Sequence, residues 1–140
     1  MTDLKGFRDW LCSFPGWEGK LPVDYLDHTP GSCGLFYAGQ EEKARRQDLL
    51  GNVTARCRCK FILYRVAPAA EDNLEQAGWL LALENWLQAQ SALALAPRLG
   101  ADPTSERIYS EKGHFTPNRQ TGTGIYQVTV WAEYTKIYHV

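Results

Sequence analysis

No run of about 18 apolar residues occurs in this 140-residue chain, so the sequence offers no membrane-spanning helix. An excess of one charge is also missing. The net charge is −1, and no global field draws the protein to nucleic acid or to a membrane. The first ten residues carry Asp3, Lys5, Arg8 and Asp9 and contain no apolar signal-peptide core, so the cytosol is the expected compartment. Cys12, Cys33, Cys57 and Cys59 are then expected as free thiols. There is no internal repeat and no composition shift that divides the chain. Its length fits one domain, and such a domain buries roughly two-thirds of the surface its unfolded chain exposes. With 44% hydrophobic and 22% charged residues, it can fold without metals or disulfides.

Recognisable chemistry is equally sparse. Cys57-x-Cys59 on a strand would put both sulfurs on one face, but tetrahedral zinc needs two further ligands. Cys12, Cys33, His28, His114 and His139 form no second close pair, so no metal is expected and the cysteines read as small buried apolar residues. No Ser or Cys stands in a nucleophile motif, and no catalytic residue or cofactor is expected. Catalytic groups can converge from distant positions, so a small cytosolic enzyme or ligand-binding domain stands as the alternative reading. Gly122-x-Gly124 lacks the third glycine and following helix of a dinucleotide site and reads as a turn.

What the chain does have is periodicity. In residues 125–140, Tyr126, Val128, Val130, Ala132 and Tyr134 fall on one face. Gln127, Thr129, Trp131, Glu133 and Thr135 fall on the other, which marks a strand with one buried side. Residues 53–66 repeat the pattern, with Val53, Ala55, Cys57, Cys59, Phe61 and Leu63 against Thr54, Arg56, Arg58 and Lys60. Residues 2–14 place Leu4, Phe7, Trp10, Leu11 and Phe14 at helical spacing, with Thr2 or Asp3 as cap and Pro15-Gly16 as stop. Residues 22–26 and 33–37 are expected as short strands with a turn between them.

Residues 41–48 are polar on both faces, and Gly51-Asn52 is a hairpin dipeptide. A long β-hairpin follows, whose first arm has little to bury. The main helix is expected over residues 71–95, with Leu74, Trp79, Leu80, Leu83, Trp86 and Leu87 as its apolar stripe. Trp79 and Trp86 read as core rather than as a ligand box. Residues 107–115 are expected as a weaker strand and 116–124 as a loop. The predicted fold is α+β: an antiparallel or mixed sheet with a long central helix and a short N-terminal helix packed on it, in the order α-β-β-β-α-β-β. Phe61, Trp79, Leu83, Val128 and Val130 are expected inside.

Arg45, Arg46, Arg56, Arg58 and Lys60 make the hairpin locally basic, while Glu41, Glu42 and Asp48 offset them. That balance favours a solvated face or a protein partner over nucleic acid. Lys43, Arg45, Arg46, Asp48, Arg56 and Arg58 are the candidate interface residues.

Several ordered stretches carry a resemblance. They are Phe7-x-x-Trp10-Leu11, Asp24-Tyr25, Gly34-Leu35-Phe36, Leu50-Gly51-Asn52-Val53-Thr54 and Phe61-x-Leu63-Tyr64-Arg65-Val66. Further on come Trp79-Leu80-Leu81, Asn85-Trp86, Glu106-Arg107-Ile108, Glu111-Lys112-Gly113, Gly122-Thr123-Gly124-x-Tyr126 and Lys136-x-Tyr138. Together they resemble the small minor capsid proteins of prophages in gut Firmicutes, a group similar in length and element order to the tail terminators of long-tailed phages. The resemblance spans nearly the whole chain. It implies a structural protein without catalytic residues or cofactors, present in the bacterial cytoplasm during assembly and then in the virion. Its implied partners are further copies of itself in a ring, typically a hexamer, the phage tail-tube protein and the head-tail connector. Sequence-specific nucleic acid and membranes are not among them.

Overall fold

The structure, a computed structural model, describes residues 3–68, 72–100, 107–111, 113–118 and 120–140. Asp3 starts the first helix, α1 (Leu4–Leu11), by accepting a hydrogen bond from the Gly6 N–H at 2.8 Å. Thr2, the other expected cap, lies outside the described residues. Lys5 and Asp9 pair at 3.0 Å on the outer side, while Phe7 and Leu11 are fully buried on the inner one. Burying each of those two side chains stabilises the fold by roughly 1.5–3 kcal/mol.

Six elements follow: β1 (Cys33–Gln47), β2 (Val53–Pro68), α2 (Leu74–Ala92), β3 (Arg107–Ser110), β4 (His114–Asn118) and β5 (Thr123–Tyr138). The fold is α+β, with a five-stranded antiparallel sheet and two helices among the described residues. The sheet runs β1-β2-β5-β3, and β4 also pairs with β5. Element order is therefore α-β-β-α-β-β-β rather than the expected α-β-β-β-α-β-β.

Each departure has a local cause. Residues 22–26 make only one bridge, Val23 to Leu35, because Asp24 takes a left-handed conformation (φ 57°) that ends any strand there. Residues 33–37 and the polar arm after them form one strand, since the interruption at Gly39 (φ 95°) is absorbed as a β-bulge. The expected strand at 107–115 splits in two, and β4 takes part of the expected loop at 116–124. Gly122 (φ 70°) does sit in the turn, but Gly124 lies in β5 beneath Phe115, where a Cβ would stand 2.2 Å from the Phe115 ring. Helix α2 spans 19 residues and begins at Leu74; Glu71, its expected start, lies outside the described residues. It closes through Ala94 in the left-handed region (φ 57°), with the Leu95 N–H donating to the Gln90 carbonyl at 2.9 Å.

Both helices pack on one face of the sheet. Phe61, Leu63, Val128 and Val130 are buried there, with Leu80, Leu83 and Leu87 coming down from α2. Phe7 stacks on Phe61 with ring centroids 4.3 Å apart. Trp79 and Trp86, expected inside, are half-buried instead. They form an aromatic rim where the helices meet: Trp10 stacks on Trp86 at 5.0 Å, and Phe14 meets Trp79 edge-on at 5.8 Å. Two indole N–H groups of this rim find polar partners. Trp79 donates to the Gly16 carbonyl and Trp10 to Gln90. No helix among the described residues is long and apolar enough to cross a membrane.

Candidate functional site

Strands β1, β2 and β5 run on past the helices as an arm. Residues 40–47 of β1 pair with 53–59 of β2, and β2 pairs with β5 as far as Val53 and Tyr138. The arm is thus three strands thick, not the two-stranded ribbon the sequence suggested. Its outer strand remains the exposed one. Beyond Tyr37, β1 buries none of its side chains, whereas Ala55 and Cys57 of β2 and Tyr134 and Thr135 of β5 are buried.

The free edge of β1 is a poor template for strand addition. Its register slips between Tyr37 and Gln40 and again between Glu42 and Ala44, and charged side chains line it. Bulges and charges are how edge strands are blunted against pairing. The first slip turns Gln40 inward, where its Oε1 accepts a short hydrogen bond from the Tyr134 hydroxyl. Burial, then the neighbouring Cys59 and Cys57 thiols, push the Tyr134 pKa upward, so the phenol keeps the proton it donates.

At the tip, Asp48 organises the turn. Its Oδ1 accepts from the N–H groups of Leu50 and Asn52, both at 2.9 Å, and its Oδ2 accepts from the Asn52 side chain at 3.2 Å. Slight desolvation pulls its pKa up, but these bonds and the Gly51 N–H outweigh it and hold the carboxyl below its ordinary value. Gly51 supplies the positive φ of 90° the turn requires. Asn52 Oδ1 in turn accepts from the Val140 N–H at 3.1 Å. What this turn presents is apolar: Leu49 is 105% exposed and Leu50 83%.

The sheet face opposite the helices carries a linked chain of cations and rings. Arg58 lies 4.0 Å from the Trp131 ring centroid and Lys60 lies 5.5 Å from it. Arg58 also pairs with Glu41 and reaches the Tyr109 hydroxyl at 3.5 Å. Arg107 sits over the Tyr109 ring at 4.6 Å and donates to Glu133 at 2.9 Å, while Arg56 reaches the other Glu133 oxygen at 3.7 Å. Glu133 is only 6% exposed. Burial alone would raise its pKa, but the Arg107 hydrogen bond and charge, with Lys43 and Tyr109, bring it below the ordinary value. Much of this basic face is therefore neutralised within the molecule.

The six candidate interface residues separate accordingly. Arg56 and Arg58 belong to the ion-pair face, with Lys43 close enough to act on Glu133. Arg46 is opposite Thr54 on that same face, whereas Arg45 is opposite Ala55 on the other and pairs with Glu42 at 2.9 Å. Asp48 is engaged in the turn. The leucine tip went unnoticed in the sequence because Gly51-Asn52 drew the turn to itself, although it closes over residues 48–52. An apolar pair between Asp48 and Gly51 was the signal available.

Cys57 and Cys59 are both buried on the helix-facing side of β2, and burial pushes the Cys59 thiol up to about 11. Among the described residues, no group of three or more His, Cys, Asp or Glu is placed to hold a metal. A cleft of about 780 Å³ between α1 and the following loop is lined by Arg8, Asp9, Cys12, Tyr25 and Cys33, among others. Burial raises both of its thiols despite Arg8 beside Cys12 and Arg65 beside Cys33. Neither is therefore poised as the thiolate that nucleophilic chemistry uses. No protein-family model matches this chain, and no curated protein matches it.

Proposed function

We propose that this protein is a non-enzymatic assembly component of the head-tail junction of a long-tailed phage or prophage. In this reading it is a tail terminator or minor capsid protein that closes the tail tube as a ring, typically a hexamer, and offers a surface to the head connector. The carrying observation is the three-stranded arm, whose outer strand buries nothing from Gln40 to Gln47 within its own domain. The resemblance along the chain supports the same reading. Arg45, Arg56 and Arg58 give the arm the polar, exchangeable pairs of an interface rim, with Lys43 and Arg46 exposed beside them, and Asp48 shapes its tip. The work proceeds in the bacterial cytoplasm and ends in the virion.

Disrupting the gene in an inducible prophage tests this. Electron micrographs of the lysate should contain tails of uncontrolled length, or tails without heads. Normal-length tails joined to heads would sink the proposal. Deleting residues 43–52 should leave a folded domain that fails to complete tails. If that deletion unfolds the domain, the arm belongs to the core instead.

A further inference from the structure

The arm's edge is blunted, and its basic face is largely paired within the molecule. Its tip is not. Loop tips are usually polar, yet here Leu49 and Leu50 stand at the end of an arm and are held in place by Asp48, Asn52 and the Val140 N–H. A turn already held in one conformation has less ordering to undergo on docking, which lowers the cost of association.

A receptacle for such a knob exists on the same chain. At the root of the arm, on the helix-facing side, Leu4, Tyr37, Phe61, Leu99 and Tyr134 line a depression of about 330 Å³ with Lys136 at its side. Its volume is at the lower end of the range for small-ligand pockets and accommodates two leucine side chains. Leu4 and Tyr37 remain 41% and 45% exposed, so apolar surface is left uncovered there. The charges are complementary, with the ionised Asp48 beside the leucines and Lys136 in the pocket.

The knob cannot fill its own pocket. Gln40, which lines the pocket, and Gln47, at the tip, are roughly 20 Å apart along an extended strand. The arm between them is a three-stranded sheet that does not fold back on itself. We infer that the Leu49–Leu50 knob of one copy docks in the Leu4–Tyr37–Tyr134 pocket of a second copy. Because knob and pocket are different surfaces, the contact is head-to-tail and repeats until the ring closes. The inference rests on the self-assembly reading above and names the contact through which it occurs.

Sedimentation velocity on two variants and their mixture is the test. Leu49→Asp/Leu50→Asp removes the knob, and Leu4→Glu/Lys136→Glu blocks the pocket at two surface positions. The wild type should associate beyond the dimer as concentration rises, and each variant alone should stay monomeric. An equimolar mixture should stop at the dimer, because it joins one intact knob to one intact pocket. Should the pocket variant fail to fold, a photoreactive benzoylphenylalanine at position 50 of the otherwise wild-type chain serves instead. It should crosslink to peptides containing Tyr37 or Tyr134 of another copy.

Oligomers that survive the knob substitutions, or crosslinks only elsewhere, overturn this contact and leave ring assembly standing. A wild type that is monomeric throughout and gives no crosslink also overturns the contact. The prophage disruption then decides on the ring independently.

Discussion

The same three strands behave as two different structures along their length. Near Phe61, Leu63, Val128 and Val130 the sheet lies under two helices and its inner face is sealed. Toward Gln47, Val53 and Tyr138 the helices are gone, and cross-strand pairs, one buried carboxylate and a tight turn remain. The covered region draws its stability from apolar area. The arm draws its order from geometry: a bulge that aims Gln40 at Tyr134, and Glu133 drawing Arg107 and Arg56 together. Burial on β2 and β5 runs on into the arm, where Ala55, Cys57 and Tyr134 join the same core, while β1 beside them buries nothing beyond Tyr37. What lies across the strand decides it.

The sharpest way to break the covered region is Val130→Asp. Val130 is fully buried and sits opposite Phe61, so an unpaired carboxylate there should cost about 4 kcal/mol or more. Loss of the cooperative urea transition, or of soluble protein, is the expected result. A wild-type midpoint would mean that the helices do not seal this face.

In the arm, Glu133→Gln should cost less, about 1.5–3 kcal/mol for the charge-assisted bonds it forfeits. Arg107 and Arg56 are largely exposed and would simply rehydrate. The contribution also depends on pH. Because the folded-state pKa of Glu133 is depressed, its stabilisation is complete above the ordinary value of 4.5 and is lost as pH falls through the lower folded value. Wild type and Glu133→Gln should therefore converge in stability on acidification below that point. A constant gap across the acid range would show that the ion pairs are not its source.

Asp48→Ala addresses the tip alone. The thermal midpoint should hardly move, while the amides of Leu50 and Asn52 exchange faster, since both donate to the removed carboxylate. Unchanged exchange there would mean the turn is held by Gly51 and the backbone. The smallest effect is expected for Leu49→Ser/Leu50→Ser, within about 0.5 kcal/mol of wild type, because neither side chain packs on anything in its own domain. A larger loss would tie the tip to the core.

The covered region was largely legible in the sequence, and the arm was not. Tyr126, Val128, Val130, Ala132 and Tyr134 announce their face because a helical layer opposite rewards apolar residues at every second position. Glu133 is buried on the other face without any apolar signature, since ion pairing rather than packing places it there. Residues 33–37 and 41–48 read as separate stretches because one is apolar and the other polar, whereas a bulge at Gly39 joins them into one long strand. Trp79 and Trp86 follow the helical period, but the pattern gives a direction without a depth, and they stop at the rim. The basic residues of the hairpin were visible one by one. Their partners Glu133, Tyr109 and Trp131 come from the other end of the chain, and only the fold brings them alongside.

Strand β5 occupies the middle of the sheet, with β2 on one side and β3 and β4 on the other. Its partner β2 lies across α2 and two further strands in sequence, so the pairing must close a long loop before any contact compensates for the lost entropy. The β1–β2 hairpin is local and can form early, but on its own it is a marginal ribbon. Stiffness reaches the arm only when β5 docks along it, which makes a rigid arm the last product of folding. Pulse-labelled hydrogen exchange during refolding should find the amides of 53–57 gaining protection in the same slow phase as those of 128–130. Were 53–57 protected in an earlier phase, the hairpin would be rigid before β5 arrives.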